Sequence, residues 1–159
     1  LIKVINDQSL LEDTIVIMTS DHGYELDDHQ TNYYGHSSNY SSAQTKVPVM
    51  MIWPGKDPKK YSSRSSHHDF APTLMREVLG CSNSYSDYST GNNLFDQKPW
   101  QYLIAGSYDS FAVLTPKKII MSYGSYFEVR DQNYNLSEIE DKDFGDIKNA
   151  ISDMSEYYK

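Results

Sequence analysis

One stretch narrows the choice of folds more than any other: Ile15-Val16-Ile17-Met18-Thr19-Ser20-Asp21-His22-Gly23. The apolar, β-branched run from Thr14 to Thr19 is too short for a helix. It suits a strand buried on both faces, as in a parallel sheet. The run leads straight into an acid, an imidazole and a glycine. In open α/β sheets ligands bind beyond the carboxyl ends of strands, where Asp21 and His22 stand. Neighbouring side chains on a strand point to opposite faces. The pair therefore converges on one ion only if the chain leaves the strand at that point, an exit Gly23 permits. A carboxylate with an imidazole suits zinc or manganese, whereas magnesium and calcium prefer all-oxygen shells. The plain alternative is a turn at Asp21 with His22 in solvent, and for a bare Asp-His pair it would prevail. A strand feeding Asp-His-Gly, with more histidines to follow, favours the metal.

Other elements follow from pattern. Residues 1–9 read as the end of a helix with Leu1, Ile2 and Ile5 on one face. Residues 21–46 are polar and aperiodic, a long loop of the kind that usually carries function. Val47-Pro48-Val49-Met50-Met51-Ile52-Trp53 is a second buried strand, ended by Pro54-Gly55. Asp69 caps a helix running to about Leu79, with Leu74, Met75, Val78 and Leu79 as its buried stripe and Gly80 closing it. From Trp100 onward, short strands at Tyr102–Ala105, Phe111–Leu114, Lys118–Met121 and Tyr126–Val129 form an antiparallel meander. A last helix spans about Phe144–Tyr157, with Ile147, Ala150, Ile151 and Met154 as its apolar face. The expected class is α/β, with a mainly parallel sheet carrying the Asp-His motif in residues 1–96. Residues 97–159 then form an antiparallel β subdomain plus a C-terminal helix.

Composition excludes several roles. The 159 residues carry a net charge of −8, which repels a phosphate backbone and argues against nucleic-acid binding. The pairs Lys59–Lys60 and Lys117–Lys118 read as solvated loop charges. A single cysteine, Cys81, excludes an internal disulfide and a cysteine-based zinc site. No stretch approaches the roughly 18 apolar residues of a membrane span. The chain opens at Leu1 inside an amphipathic helix, which suggests a piece of a longer protein.

Thr19-Ser20-Asp21-His22-Gly23 resembles the metal-binding motif of the alkaline-phosphatase superfamily. More closely it resembles the sulfatase-like branch, which includes phosphoglycerol and phosphoethanolamine transferases. Leu11–Ile17, Tyr34-Gly35-His36-Ser37-Ser38-Asn39, Val47–Gly55 and His68-Asp69-Phe70-Ala71-Pro72-Thr73-Leu74 fit the same branch, in order, across residues 1–96. The Trp-Pro-Gly-Lys turn, the His-His-Asp helix start and the meander suggest a bacterial subgroup. Its members join an N-terminal inner-membrane part to a periplasmic sulfatase-like domain.

The resemblance implies roles. Asp21 and His22 would ligate a divalent metal, with zinc or manganese favoured. His36 would serve catalysis at the substrate's phosphate or sulfate group, or complete a second metal site; a solvated loop histidine is the competing reading. His29 matches no family position and reads as solvated. His67 and His68 read as capping and packing residues, and Gln44 and Lys46 as solvated loop residues. The family's nucleophile and a further acidic ligand lie upstream, so Ser20, Ser37 and Ser38 are not in the nucleophile's place and the chain holds part of a site.

The implied partners are the missing N-terminal part of the same protein, through it the membrane, and a sulfate- or phosphate-ester substrate, with lipid-linked esters among the candidates. The exposed edge of an incomplete sheet also invites a homodimer. The implied place is the periplasmic face of the inner membrane. The function is then part of a metal-dependent hydrolase or transferase acting on sulfate or phosphate esters. The alternative is a non-catalytic periplasmic sulfatase-like module that regulates the envelope through lipid or protein binding.

Overall fold

A computed structural model describes residues 1–37 and 39–156. It divides into two compact units, Leu1–Lys60 and Tyr61–Lys159, each taken by itself below.

The first unit begins with helix α1 (Ile2–Asp7), and then enters strand β1 (Val16–Thr19). A short hairpin follows, β2 (Glu25–Leu26) with β3 (Tyr34–Gly35), then one helical turn, α2 (Ser42–Thr45), and strand β4 (Val49–Ile52). Both strands expected from the apolar runs are present, but their direction corrects the reading of a mainly parallel sheet. β1 and β4 pair antiparallel, with Val16 opposite Ile52 and Thr19 opposite Val49. The hairpin is antiparallel as well. An unbroken apolar run reports burial and β-propensity; it carries no information on the direction of the neighbour. The burial was overestimated too, since Met50 is 65% exposed and Val49 40%.

The second unit starts with a 3₁₀ turn (His67–Asp69) leading into helix α3 (Phe70–Glu77). Ser66 is the N-cap of that turn. Its side chain accepts from His68 N, while the Asp69 carboxylate accepts from Ser66 N, a reciprocal capping box. Asp69 is thus a capping residue as expected, one turn earlier than expected. Its other oxygen accepts from Asn92 N at 2.7 Å. Gly80 (φ 66°) sits beyond the helix in the left-handed conformation a closing glycine supplies. The expected stripe fails in part. Pro72 and Thr73 are the buried residues of α3, while Val78 and Leu79 are exposed.

The meander forms as read. β5 (Leu103–Gly106), β6 (Phe111–Leu114), β7 (Lys118–Ser122) and β8 (Phe127–Asp131) make one antiparallel sheet in that order. Registry places Ile104, Val113, Ile120 and Val129 side by side in one cross-strand row. Helix α4 (Asp141–Glu156) lays Ile147 and Ala150 against it. Tyr157, the expected end of that helix, lies outside the described residues.

Lys118 corrects a second expectation. Its ammonium is buried rather than solvated, 2.8 Å from Asp143 and 3.1 Å from Glu140. The hydrogen bond to Asp143 pushes its pKa up. Asp143 also accepts from Glu140 N at 2.8 Å, so one carboxylate anchors both the first turn of α4 and the start of β7.

Candidate functional site

Asp21 and His22 follow β1 directly, at the strand exit where the sequence placed them. The turn is tied locally. Ser20 Oγ donates to His22 O at 2.7 Å, and His22 N donates to Asp21 Oδ1 at 3.0 Å. That backbone bond, with the neighbouring imidazole, holds the Asp21 carboxyl below the ordinary carboxylate range.

His22 Nδ1 lies 2.7 Å from Gly23 O. A carbonyl can only accept, so Nδ1 carries a proton. Nε2 faces Asp21 Oδ2 at 3.6 Å. The two side chains therefore turn toward one another and stay open to solvent. His36 joins them. It follows β3, and its ring stacks on His22 with centroids 4.3 Å apart and planes 21° from parallel. Tyr33 OH fixes this bend, donating to Ser37 O at 2.6 Å and to His36 O at 3.0 Å. All three residues singled out in the sequence thus come together. Among the described residues no group of three or more His, Cys, Asp or Glu side chains is arranged to hold a metal ion. Ser38 lies outside the described residues.

Gly23 owes its identity to packing. A Cβ there would stand 2.0 Å from Ala43 O. Gly23 N donates to Gln44 O at 2.8 Å, clamping the strand exit to α2. Gln44 corrects another expectation, being 5% exposed instead of solvated. Its Nε2 has no hydrogen-bond partner among the described residues. Lys46 is exposed, as read.

Sequence reasoning also missed a buried acid. Glu25 is fully buried and accepts from Ser41 Oγ and from His29 Nδ1, the latter at 3.1 Å. His29 is therefore not solvated; its side chain is 14% exposed. Burial pushes the Glu25 carboxyl up, but the Ser41 and His29 hydrogen bonds and the His29 charge outweigh it, leaving the pKa below its ordinary value. This network ties β2 to the turn before α2, bracing both ends of the loop that presents His36. The four-residue spacing of Glu25 and His29 was the available signal. His67 and His68 do cap and pack: His68 Nδ1 meets Thr90 Oγ1 at 2.5 Å, and His67 stands edge-on to Phe70.

A model of the Sulfatase family matches residues 1–80. The chain belongs to the sulfatase family. The match spans α1 to the end of α3 and so includes Asp21, His22 and His36. An uncharacterized protein of Haemophilus influenzae is 32% identical over 110 residues, covering 67% of this chain and 18% of its own length. The inner membrane protein YejM of Salmonella typhimurium and of Salmonella typhi is 21% identical over 132 residues, 82% of this chain and 22% of that protein. This sulfatase chain thus spans about a fifth of the length of these curated relatives. Sulfatases generally use metal ions. Among the described residues no helix of this chain is long and apolar enough to cross a membrane.

Proposed function

We propose that this sulfatase chain carries one side of the centre of a metal-dependent hydrolase or transferase for sulfate or phosphate esters. Asp21 and His22 hold a divalent cation, and His36 meets the substrate's oxyanion. One observation carries the reading: Asp21 Oδ2 and His22 Nε2 face each other at 3.6 Å, with Nδ1–H already given to Gly23 O. Two ligands each about 2.0–2.2 Å from one tetrahedral zinc lie roughly 3.3–3.5 Å apart, so small adjustments fit the pair to a shared ion. The Nδ1–H bond to a carbonyl is the outer contact that orients a ligating histidine and raises its basicity. Zinc or manganese suits this donor pair.

Such a cation supplies a lowered nucleophile pKa and neutralises charge on the transferring group. The chain's own residues do the rest. His36, held by stacking on His22 and by the Tyr33 bonds to its loop, donates an N–H to the sulfate or phosphate oxygen. The depressed Asp21 carboxyl stays ionised well into the acid range. The remaining ligands and the nucleophile come from other parts of the protein, on the periplasmic side of the inner membrane. The inner-membrane names of two relatives support the link to that membrane.

The test is Asp21→Ala in the full-length protein, with bound metal measured by mass spectrometry. Metal per protein falls to a small fraction of wild type. Unchanged stoichiometry would remove Asp21 from the centre.

A further inference from the structure

The second unit contains a cleft of about 300 Å³, at the lower end of the range for small-molecule sites. It lies between the segment before α3, the stretch leading into β5, and α4. Its chemistry is unbalanced in a specific way. Arg64 places its guanidinium 4.6 Å from the centre of the Trp100 ring. Among the described residues no carboxylate pairs with Arg64, although burial pulls its pKa down from the ordinary value. A partly desolvated guanidinium without a carboxylate keeps its donors for another oxyanion.

The acids that line the cleft are already committed. Both oxygens of Asp69 accept backbone N–H groups, from Ser66 and Asn92. Asp153 accepts the Tyr102 hydroxyl. Lys98, on the same wall, has a loose 3.8 Å pairing with Asp96 and lies 5.8 Å from the centre of the Tyr85 ring. Arg64 and Lys98 thus bring two positive charges to a lining that also carries the Asp69 and Asp153 carboxylates, and among the described residues the Arg64 guanidinium is the charged group there without an ionic partner. The remaining polar lining includes the carboxamides of Gln97 and Gln101. An amide both donates and accepts, which is the pairing that hydroxyl groups need. Gln97 has a left-handed backbone (φ 48°), an uncommon setting for a residue other than glycine.

We propose that this cleft is a binding site for a small hydroxylated anion, a phosphorylated or sulfated polyol. Arg64 grips the oxyanion while stacked on Trp100, Lys98 adds charge, and Gln97 and Gln101 take the hydroxyls. A planar fork on an aromatic face is pre-organised for two parallel bonds to a phosphate or sulfate. The polyol can arrive free or as the headgroup of a lipid; the recognising chemistry is the same.

The experiment uses the full-length protein in an Asp21→Ala background. The cleft's binding is then read with the proposed metal centre disabled, and failure of either site shows separately. Glucose 6-phosphate, glucose and inorganic phosphate are titrated by calorimetry. Phosphatidylcholine vesicles with and without phosphatidylinositol 4-phosphate test the lipid-borne form by flotation. Saturable binding of glucose 6-phosphate, or selective capture of the phosphoinositide vesicles, is the expected result, with glucose alone at least tenfold weaker. Arg64→Met keeps the stem over Trp100 and weakens binding at least tenfold, and Arg64→Lys falls between. Should Arg64→Met fail to fold by circular dichroism, the exposed pair Gln97→Ala/Gln101→Ala weakens glucose 6-phosphate and leaves inorganic phosphate unchanged. The proposal is overturned if neither presentation binds. It is equally overturned if binding survives in a folded Arg64→Met variant, or if the glutamine pair has no effect.

Discussion

Replacing Gly23 by alanine tests how the fold delivers the Asp-His pair. The added Cβ would lie 2.0 Å from Ala43 O and 3.0 Å from Ala43 C, where ordinary contact starts at 3.4 Å. Both are backbone atoms, so no side chain can swing aside. The strand exit and α2 must part by about 1.4 Å, the shortfall between those two distances. That movement stretches the 2.8 Å bond from Gly23 N to Gln44 O beyond hydrogen-bonding range. Overpacking costs about 1–3 kcal/mol, and the lost bond about 1 kcal/mol more, giving roughly 2–4 kcal/mol in all. His22 shifts with Gly23, because its Nδ1–H is bonded to Gly23 O. Gly106→Ala is the control: nothing lies within 4 Å of a Cβ there, so its cost stays within about 0.5 kcal/mol. Thermal melts and metal content of both variants are measured side by side. If Gly23→Ala melts with the control and keeps its metal, the close approach is not what aims the pair.

Two further outcomes concern buried charge. Glu25 has a depressed folded pKa, so its stabilisation is full above its unfolded value, about pH 4.3, and is lost as the pH falls through the folded value. Glu25→Gln therefore lowers stability near neutrality and flattens the acid limb of a melting-temperature profile; an unchanged acid limb would contradict the network. Asp143→Asn takes from the buried Lys118 ammonium its nearest counter-charge, leaving Glu140 at 3.1 Å, and lowers the melting temperature by several degrees. Lys118→Met in that background restores part of the loss, because it removes the buried ammonium whose nearest carboxylate charge is gone; no restoration would show that the pair is not what the site responds to.

The longer strands and helices and the place where the Asp-His pair leaves the sheet were legible, because periodicity and local composition set them; the short hairpin Glu25–Leu26 with Tyr34–Gly35 and the turn Ser42–Thr45 were not, inside a stretch read as a loop. Strand direction was not, since the same apolar run of residues 14–19 serves a parallel or an antiparallel neighbour. The misread polar residues share one cause. His29, Gln44 and Lys118 look solvated in sequence because polar residues usually are. Burial of Gln44 and Lys118 is decided by groups distant in sequence, Gly23 being bonded to Gln44 and Asp143 lying 25 positions from Lys118, whereas His29 meets Glu25 four positions away. Val78 and Leu79 fail in the opposite sense, apolar by type yet exposed in the fold.

The row of Val113, Ile120 and Val129 beneath Ile147 and Ala150 gives the second unit a closed apolar centre. In the first unit, Val16 and Tyr40 are the buried apolar residues among those described. Opening free energies follow such differences. Amide protons of β6 and β7 should outlast those around residues 20–37 by orders of magnitude in exchange. Warming or mild denaturant would accordingly disperse the Asp21, His22 and His36 cluster while the meander's dichroism is still intact.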